Sequence, residues 1–423
     1  MRRRHRAACA ALLMGAAALL PATAQQAQPR TLGLDDVLSA SRDNPDVLLA
    51  RQQLAAARAD VLAADHAPAP LLTGKLSSID LQNGIGNGGL GRKRIDSSLG
   101  IDWTWERGGK RRARTTAAER TADAASAELD DTQLQQRIAA GSAFFDLLGA
   151  QERIAEVQEI ERSAAQLAST AERRVQAGDL PAQESARTAI EAQRSRVELR
   201  SAQLERDRAQ LELTRLLGPA AAVRGLAARP DWPALALPAQ DADLAALVDQ
   251  RADVRAARER AAAAEASLAA AEAQRSADVT WGVSIDRYPG TSNRLLEVRA
   301  TVPLNWGYRF EGEIGRAQAQ YAQAQDQLDK ARHEANVELQ RLREEALANA
   351  QRLQRFEEDI LTRSRQVADS AELAYRKGAM SLTDLLDARR TLRATQLDAI
   401  AARVDHAKAA LAWRLRTQPQ ASP

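Results

Sequence analysis

The chain has 423 residues, with 59 basic and 56 acidic side chains, and aromatic residues make up only 3% of it. Four arginines fall within the first six positions, so the rest of the chain is close to neutral, with 55 basic side chains (59 less 4) against 56 acidic ones. That balance removes any argument for nucleic acid from overall charge, and a single cysteine, Cys9, excludes a disulfide framework.

Residues 1–24 read as a secretory signal. Arg2, Arg3, Arg4 and Arg6 precede an apolar run from Ala7 to Leu20, and Ala22-Thr23-Ala24 offers small residues ahead of Gln25. Cys9 lies inside this leader, so the mature chain carries no thiol and is poorly placed to receive an N-terminal lipid. Beyond it no apolar run approaches the ~20 residues of a spanning helix. Any membrane part must therefore be made of strands.

A first repeat is expected over residues 25–217. Leu34 to about His66 reads as helix, with a break and restart at Asn44-Pro45-Asp46, and Pro68 and Pro70 end it. Strands follow at about 71–81 and 94–106, joined by the Gly/Asn-rich segment 82–91. In the second run Ile95, Leu99, Ile101, Trp103 and Trp105 share one face, and Asp96, Ser98, Asp102, Thr104 and Glu106 share the other. Gly108-Gly109 releases the chain into a helix over about 110–177. There Val157, Ile160, Ala164, Leu167 and Ala171 recur at coiled-coil spacing. A tip turn at 178–181 leads into a returning helix that ends at Leu217.

Residues 218–240, with four prolines, read as a linker. A second repeat occupies 241–416: Asp253-Val254 echoes Asp46-Val47, and strands are expected at about 278–286 and 294–305. A long helix then runs to Lys377, a tip turn spans 378–381, and a return helix reaches about Arg416; residues 417–423 form a tail. Gly178 and Gly378 are 200 residues apart, and duplication is the organising fact of the chain.

Strands in lipid must close on themselves, because an open edge leaves backbone groups unpaired. Single-chain barrels begin at about eight strands, and this chain offers four, so several subunits are expected to share one barrel. Trp103, Trp105, Trp281, Trp306, Tyr288 and Tyr308 cluster in and beside these strands, as an interfacial girdle would. The competing reading makes the hairpins a small water-soluble sheet with a tryptophan core.

This organisation resembles the TolC-type outer-membrane factors across essentially the whole mature chain. The stretch Tyr375-Arg-Lys-Gly378-Ala-Met-Ser-Leu-Thr-Asp384-Leu-Leu-Asp387-Ala388-Arg389 is close to the family's tip motif, and Glu106 to Arg114 resembles the strand exit of its heavy-metal, CzcC-like branch. The fold expected is mainly α with a β membrane part: a long α-helical coiled-coil barrel, with four strands per chain contributing to a shared twelve-strand outer-membrane β-barrel in a homotrimer.

The resemblance implies a passive exit duct in the outer membrane, extending into the periplasm and serving an inner-membrane resistance–nodulation–division pump through a periplasmic adaptor protein. Heavy-metal efflux is the cargo class implied first. Drug efflux, type I protein secretion, and a periplasmic coiled-coil adaptor without a pore are the alternatives. By position, Asp384 and Asp387 match the family's acidic ring at the closed end, Tyr375 its network tyrosine, and Glu184 the acidic partner in the first repeat. Gly178 and Gly378 match the tip turns where an adaptor docks. Met380 departs from members that carry an arginine there.

No enzyme, cofactor or resident metal is expected. His66, His333 and His406 are far apart with no companions at ligand spacing, no glycine loop carries the lysine of a phosphate site, and Arg107–Arg114 reads as an interfacial basic cluster.

Overall fold

The computed structural model describes residues 30–79, 95–218, 226–235, 243–289 and 291–418. The expected leader with Cys9, the hairpin connection 82–91, parts of the linker and residues 419–423 lie outside them.

The first repeat begins with a short strand, β1 (Arg30–Leu32), and helix α1 (Leu34–Ala40). The helical stretch toward His66 breaks and restarts at Asn44-Pro45-Asp46, as read from the sequence. A 3₁₀ turn over Ser41–Asp43 separates α1 from α2 (Pro45–Ala64), because Asn44 caps α2 by accepting the Asp46 N–H at 2.8 Å and Pro45 takes the first position. Strands β2 (Leu71–Ser77) and β3 (Asp96–Trp105) follow, then α3 (Lys110–Gln176) and α4 (Ala182–Leu217). The 67 residues of α3 span about 100 Å at 1.5 Å each.

Strand β4 (Leu226–Ala228) pairs in parallel with β1, so the proline-rich stretch expected as a linker contributes a strand. Short α5 (Leu244–Gln250) opens the second repeat. It continues through α6 (Ala252–Ala273), β5 (Val279–Tyr288), β6 (Ser292–Thr301), α7 (Glu311–Arg355), a π turn at Phe356–Ile360, α8 (Leu361–Arg376) and α9 (Leu382–Thr417). The return helices α4 and α9 are each 36 residues long.

Strand limits differ from the sequence reading for a hydrogen-bonding reason. β6 ends at Thr301 rather than 305: Thr301 already pairs with Thr280, next to the start of β5, and Pro303 has no N–H to donate. β5 runs on to Tyr288 because Arg287 still pairs with Ser97 and Tyr288 with Ser292.

The four long strands form one antiparallel sheet, ordered β2-β3-β5-β6. The helices that continue from them keep that order, α2-α3-α6-α7, as an upper tier of wall. Below it, α4, α3, α9 and α8 form a lower tier, and α3 runs through both. Midway, Phe144, Phe145, Leu147 and Leu148 of α3 pack with Leu213, Leu216 and Leu411, and Trp232 stacks on Phe145 at 5.9 Å. This belt fastens β1, α1 and β4 to the wall. Of the coiled-coil seam read in α3, Val157 and Ala171 are buried, and Ile160, Ala164 and Leu167 are half-buried in the single chain.

Candidate functional site: the sheet and the helical tips

The sheet has two chemically distinct faces, fixed by register. Leu72, Ile101, Val283 and Val298 lie in one cross-strand row, Leu99, Ile285 and Leu296 in the next, and Trp103 opposes Trp281. All of these except half-buried Val283 are exposed, Leu296 by 72%. The other face is polar. Arg299 donates to Asp102 at 2.7 Å across Gly282, Thr104 and Thr280 hydroxyls meet at 3.0 Å, and the Ser284 hydroxyl donates to Asp286. A Cβ on Gly282 would collide with the Asp102 carboxylate, so glycine there lets the ion pair cross the strand. Apolar outside with polar inside is the pattern of a barrel wall between lipid and a wet lumen.

The aromatic residues are placed unevenly. Trp103, Trp105 and Trp281 sit at the end of the sheet that joins the helices, and Trp306 (86% exposed) and Tyr308 lie just beyond β6 at that same end. Tyr288 stands at the far end. The basic cluster below the sheet serves as a set of bolts. Lys110 pairs with Asp278 at 2.9 Å, and Arg114 holds Glu106 and the carbonyls of Ala64 and His66, tying helix α3 to the ends of β3 and β5 and to the end of α2.

At the opposite end the two tip turns share one backbone plan. Gly178 (φ 83°) and Gly378 (φ 74°) are left-handed. Each donates its N–H three residues back, to Val175 and Tyr375, and the following residue donates five back, to Arg174 and Ala374. This is a Schellman stop. A side chain at either glycine would meet open space, so backbone conformation alone demands glycine.

The caps differ. Ser381 accepts the Asp384 N–H at 3.2 Å and donates to the Asp384 carboxylate at 2.7 Å, whereas Pro181 starts α4 with no side-chain bond. Packing differs more. Leu382, Leu385 and Leu386 join Ala371 in a buried cluster with Leu167, Tyr375 and Met380; the first repeat has Ala182, Ser185 and Ala186 at those positions.

Of the residues expected at a gate, Tyr375 is half-buried in that leucine cluster, and its hydroxyl accepts from Arg174 at 3.4 Å. Among the described residues it has no hydrogen bond to Glu184 or Asp384. Asp384 and Asp387 are both exposed, with Asp384 held at the helix start by Ser381. Glu184 is half-buried and has no side-chain hydrogen bond among the described residues. One chain therefore does not bring the four together.

What holds the tip is a set of ion pairs that the sequence reading missed. Glu191 of α4 receives Arg390 of α9 at 2.8 Å and lies 3.7 Å from Arg393, which also pairs with Glu198. Arg389 reaches Ser163 of α3 at 3.2 Å and Glu372 of α8 at 3.2 Å. The hydrogen bond from Arg390, reinforced by the charges of Arg390 and Arg393, holds the Glu191 carboxyl below the usual carboxylate range against the opposing effect of burial. Burial alone would raise Glu372, but Arg376 and Arg389 outweigh it and the net displacement is downward. The helices α3, α4, α8 and α9 line an open cleft of about 240 Å³ beside these pairs. A signal for the ladder was present: Glu184, Glu191, Glu198, Glu205 and Glu212 recur every seven residues along α4.

No helix of the described residues is long and apolar enough to cross a membrane. The profile of the Outer membrane efflux protein family matches residues 38–219. Cobalt-zinc-cadmium resistance protein CzcC of Cupriavidus metallidurans is 27% identical over 292 residues, which is 68% of this chain and 68% of that protein. The first repeat of the chain thus resembles the outer membrane efflux proteins. Solved channels share its fold: the CmeC outer membrane channel of Campylobacter jejuni superposes with a TM-score of 0.77 at 15% identity, covering 91% of this chain and 85% of that one. The outer membrane protein VceC of Vibrio cholerae gives 0.74 at 21% identity, covering 91% and 95%. The fold is that of the TolC-type outer-membrane channels, and the chain is placed in the outer membrane with an extension into the periplasm.

Proposed function

We propose that three copies of this efflux protein close into one duct that carries heavy-metal cations from an inner-membrane resistance–nodulation–division pump, through a periplasmic adaptor, to the outside. The observation that carries the reading is the sheet itself: four strands with an outward apolar face and two unpaired edges, β2 and β6, standing on a wall about 100 Å long. Unpaired edges are untenable in lipid, and three copies supply twelve strands.

The helical wall supports the same closure. Its upper edges are α2 and α7, continuous with β2 and β6, and its lower edges are α4 and α8. Along α4 the side chains Ile190, Val197, Leu204 and Leu211 form an exposed stripe of seven-residue period. Ile360 and Val367 are exposed on the π turn and α8. Paired edge to edge, these stripes make a coiled-coil seam between copies.

In this assembly the tips of the second repeat line the periplasmic mouth. Asp384 and Asp387, repeated around the axis, form an acidic ring that concentrates cations, with Tyr375 and Glu184 beside it and the turns at Gly178 and Gly378 facing the adaptor. The metal class rests on the CzcC relative and on the strand exit Glu106–Arg114.

The reading is tested by deleting the gene and scoring growth on zinc, cobalt and cadmium beside a panel of toxic organic compounds. Sensitivity to the metals, restored by the wild-type gene, is expected; sensitivity confined to the organics would reject the metal class. In planar bilayers, Asp384→Ala with Asp387→Ala should relieve block of the purified channel by divalent cations. Undiminished block would remove these residues from the constriction.

A further inference from the structure

On the upper wall, α2, α3, α5–α6 and the end of α9 border a trough of about 1150 Å³. It is larger than the ~300–1,000 Å³ of ordinary small-ligand pockets. Its rim is dominated by arginine. Arg251 is held by Asp253 and Glu338, and Arg255 by Asp130. Arg42, Arg51, Arg58 and Arg137 line the same trough, and among the described residues none of the four has a hydrogen bond or ion pair. Arg416, whose side chain is 10% exposed, has buried Nε and Nη1 atoms without a hydrogen-bond partner; its acids, Asp131 and Glu338, stand 3.7 Å away.

Uncompensated cations on one concave surface repel one another, and guanidinium groups are suited to bidentate carboxylates. Burial, with the charges of Arg42 and Arg414, already makes Arg137 easier to deprotonate than a free arginine. The floor between the arginines is aliphatic, formed by Leu54, Leu129, Leu134 and Leu247. A purely ionic ligand would leave that floor unused.

Position narrows the ligand further. The α3 lining runs from Ser126 to Arg137, about 25–40 Å along the helix from its start at Lys110. Lipid headgroups are out of reach. Arg51 and Arg58 are two turns apart on α2, about 10 Å, so the charges call for an elongated ligand. The trough is also remote from the tip turns where an adaptor is expected.

We propose that this trough is a docking site for an acidic polypeptide segment of a partner protein, with carboxylates seated on Arg42, Arg51, Arg58 and Arg137 and aliphatic side chains on the leucine floor. The test uses the full-length oligomer in detergent and a fluorescein-labelled peptide alternating glutamate and leucine, read by anisotropy. A glutamine-for-glutamate peptide and inorganic polyphosphate serve as comparisons. Binding that weakens with added salt is expected, with a loss of about tenfold in Arg51→Glu/Arg58→Glu, the order of two partly exposed ion pairs reversed in sign.

Equal binding of the glutamine peptide, or unchanged affinity in the double variant, overturns the proposal. Polyphosphate binding as tightly as the glutamate peptide also overturns it, since the leucine floor would then contribute nothing. Size-exclusion of the double variant reads the remaining case. Dissociation of the oligomer would show that a second copy of this chain fills the trough, and the proposal would fall.

Discussion

The ladder at the tips gives the sharpest prediction. Glu191 is 12% exposed at its side chain and faces Arg390 and Arg393, so Glu191→Gln removes one charge from a three-membered cluster and leaves two guanidiniums facing each other. Arg390 is half exposed and its share is small, about 0.5–1 kcal/mol. Arg393, at 23% exposure, is the better shielded partner, but at 3.7 Å it makes an ion pair without a hydrogen bond and adds about as much again, roughly 0.5–1 kcal/mol.

A net cost of ~1 kcal/mol per subunit is expected, since Glu198 retains part of the hold on Arg393. If the ladder keeps the α8–α9 pair against α3 and α4, that loss shifts the closed-to-open balance by about fivefold per subunit. Single-channel recording should then show a sharply raised open probability, and Arg393→Gln in the same background should add less than its effect alone. A channel that stays closed, with strictly additive effects of the two substitutions, would refute the argument.

The same carboxyl carries a pH dependence. Its folded pKa is depressed, so its stabilisation is complete above the ordinary glutamate value, ~4.3, and is lost as pH falls through the lower folded value. Tip closure should weaken only under strongly acid conditions, and in Glu191→Gln that acid response should be reduced.

Other outcomes follow from packing. Gly282→Ala should displace the Asp102–Arg299 bridge and change the ion selectivity of the purified channel, and adding Asp102→Ala should relieve the strain; reversal potentials check both. Leu385 is 1% exposed in the tip cluster, so Leu385→Ala should cost ~2–5 kcal/mol locally and expose the turn after Tyr375 to protease faster than Leu211→Ala does. His406 is 1% exposed with a buried, unpartnered Nε2, and burial lowers its pKa against the pull of Glu357. Its depressed value means stability falls as pH drops below ~6.5. His406→Gln should flatten thermal midpoints between pH 5 and 7.

Much of this protein was legible in the chain because its signals are periodic. Alternation in residues 95–106 gave a strand with one apolar face, and register places Ile101 and Trp103 on that face. The 200-residue spacing of Gly178 and Gly378 gave two tip turns, since only glycine suits their left-handed backbone. Export was read from the expected leader, and the resemblance to the outer-membrane factors from the duplicated organisation with the stretches Tyr375–Arg389 and Glu106–Arg114. The gate residues were another matter. Tyr375, Asp384, Asp387 and Glu184 were assigned by resemblance, and within one chain Tyr375 meets Arg174 instead.

By itself the sequence determined the long helices, the four long strands and that the unit occurs twice, because 3.6- and 2-residue periods and turn chemistry are local properties. Only the tertiary structure decided that Glu191 answers Arg390 across nearly 200 residues, that β4 pairs with β1 inside a proline-rich stretch, and that seven arginines converge on one trough. Those outcomes depend on how long helices lie side by side. A shift of one residue in their packing would pair different charges while leaving every local pattern unchanged.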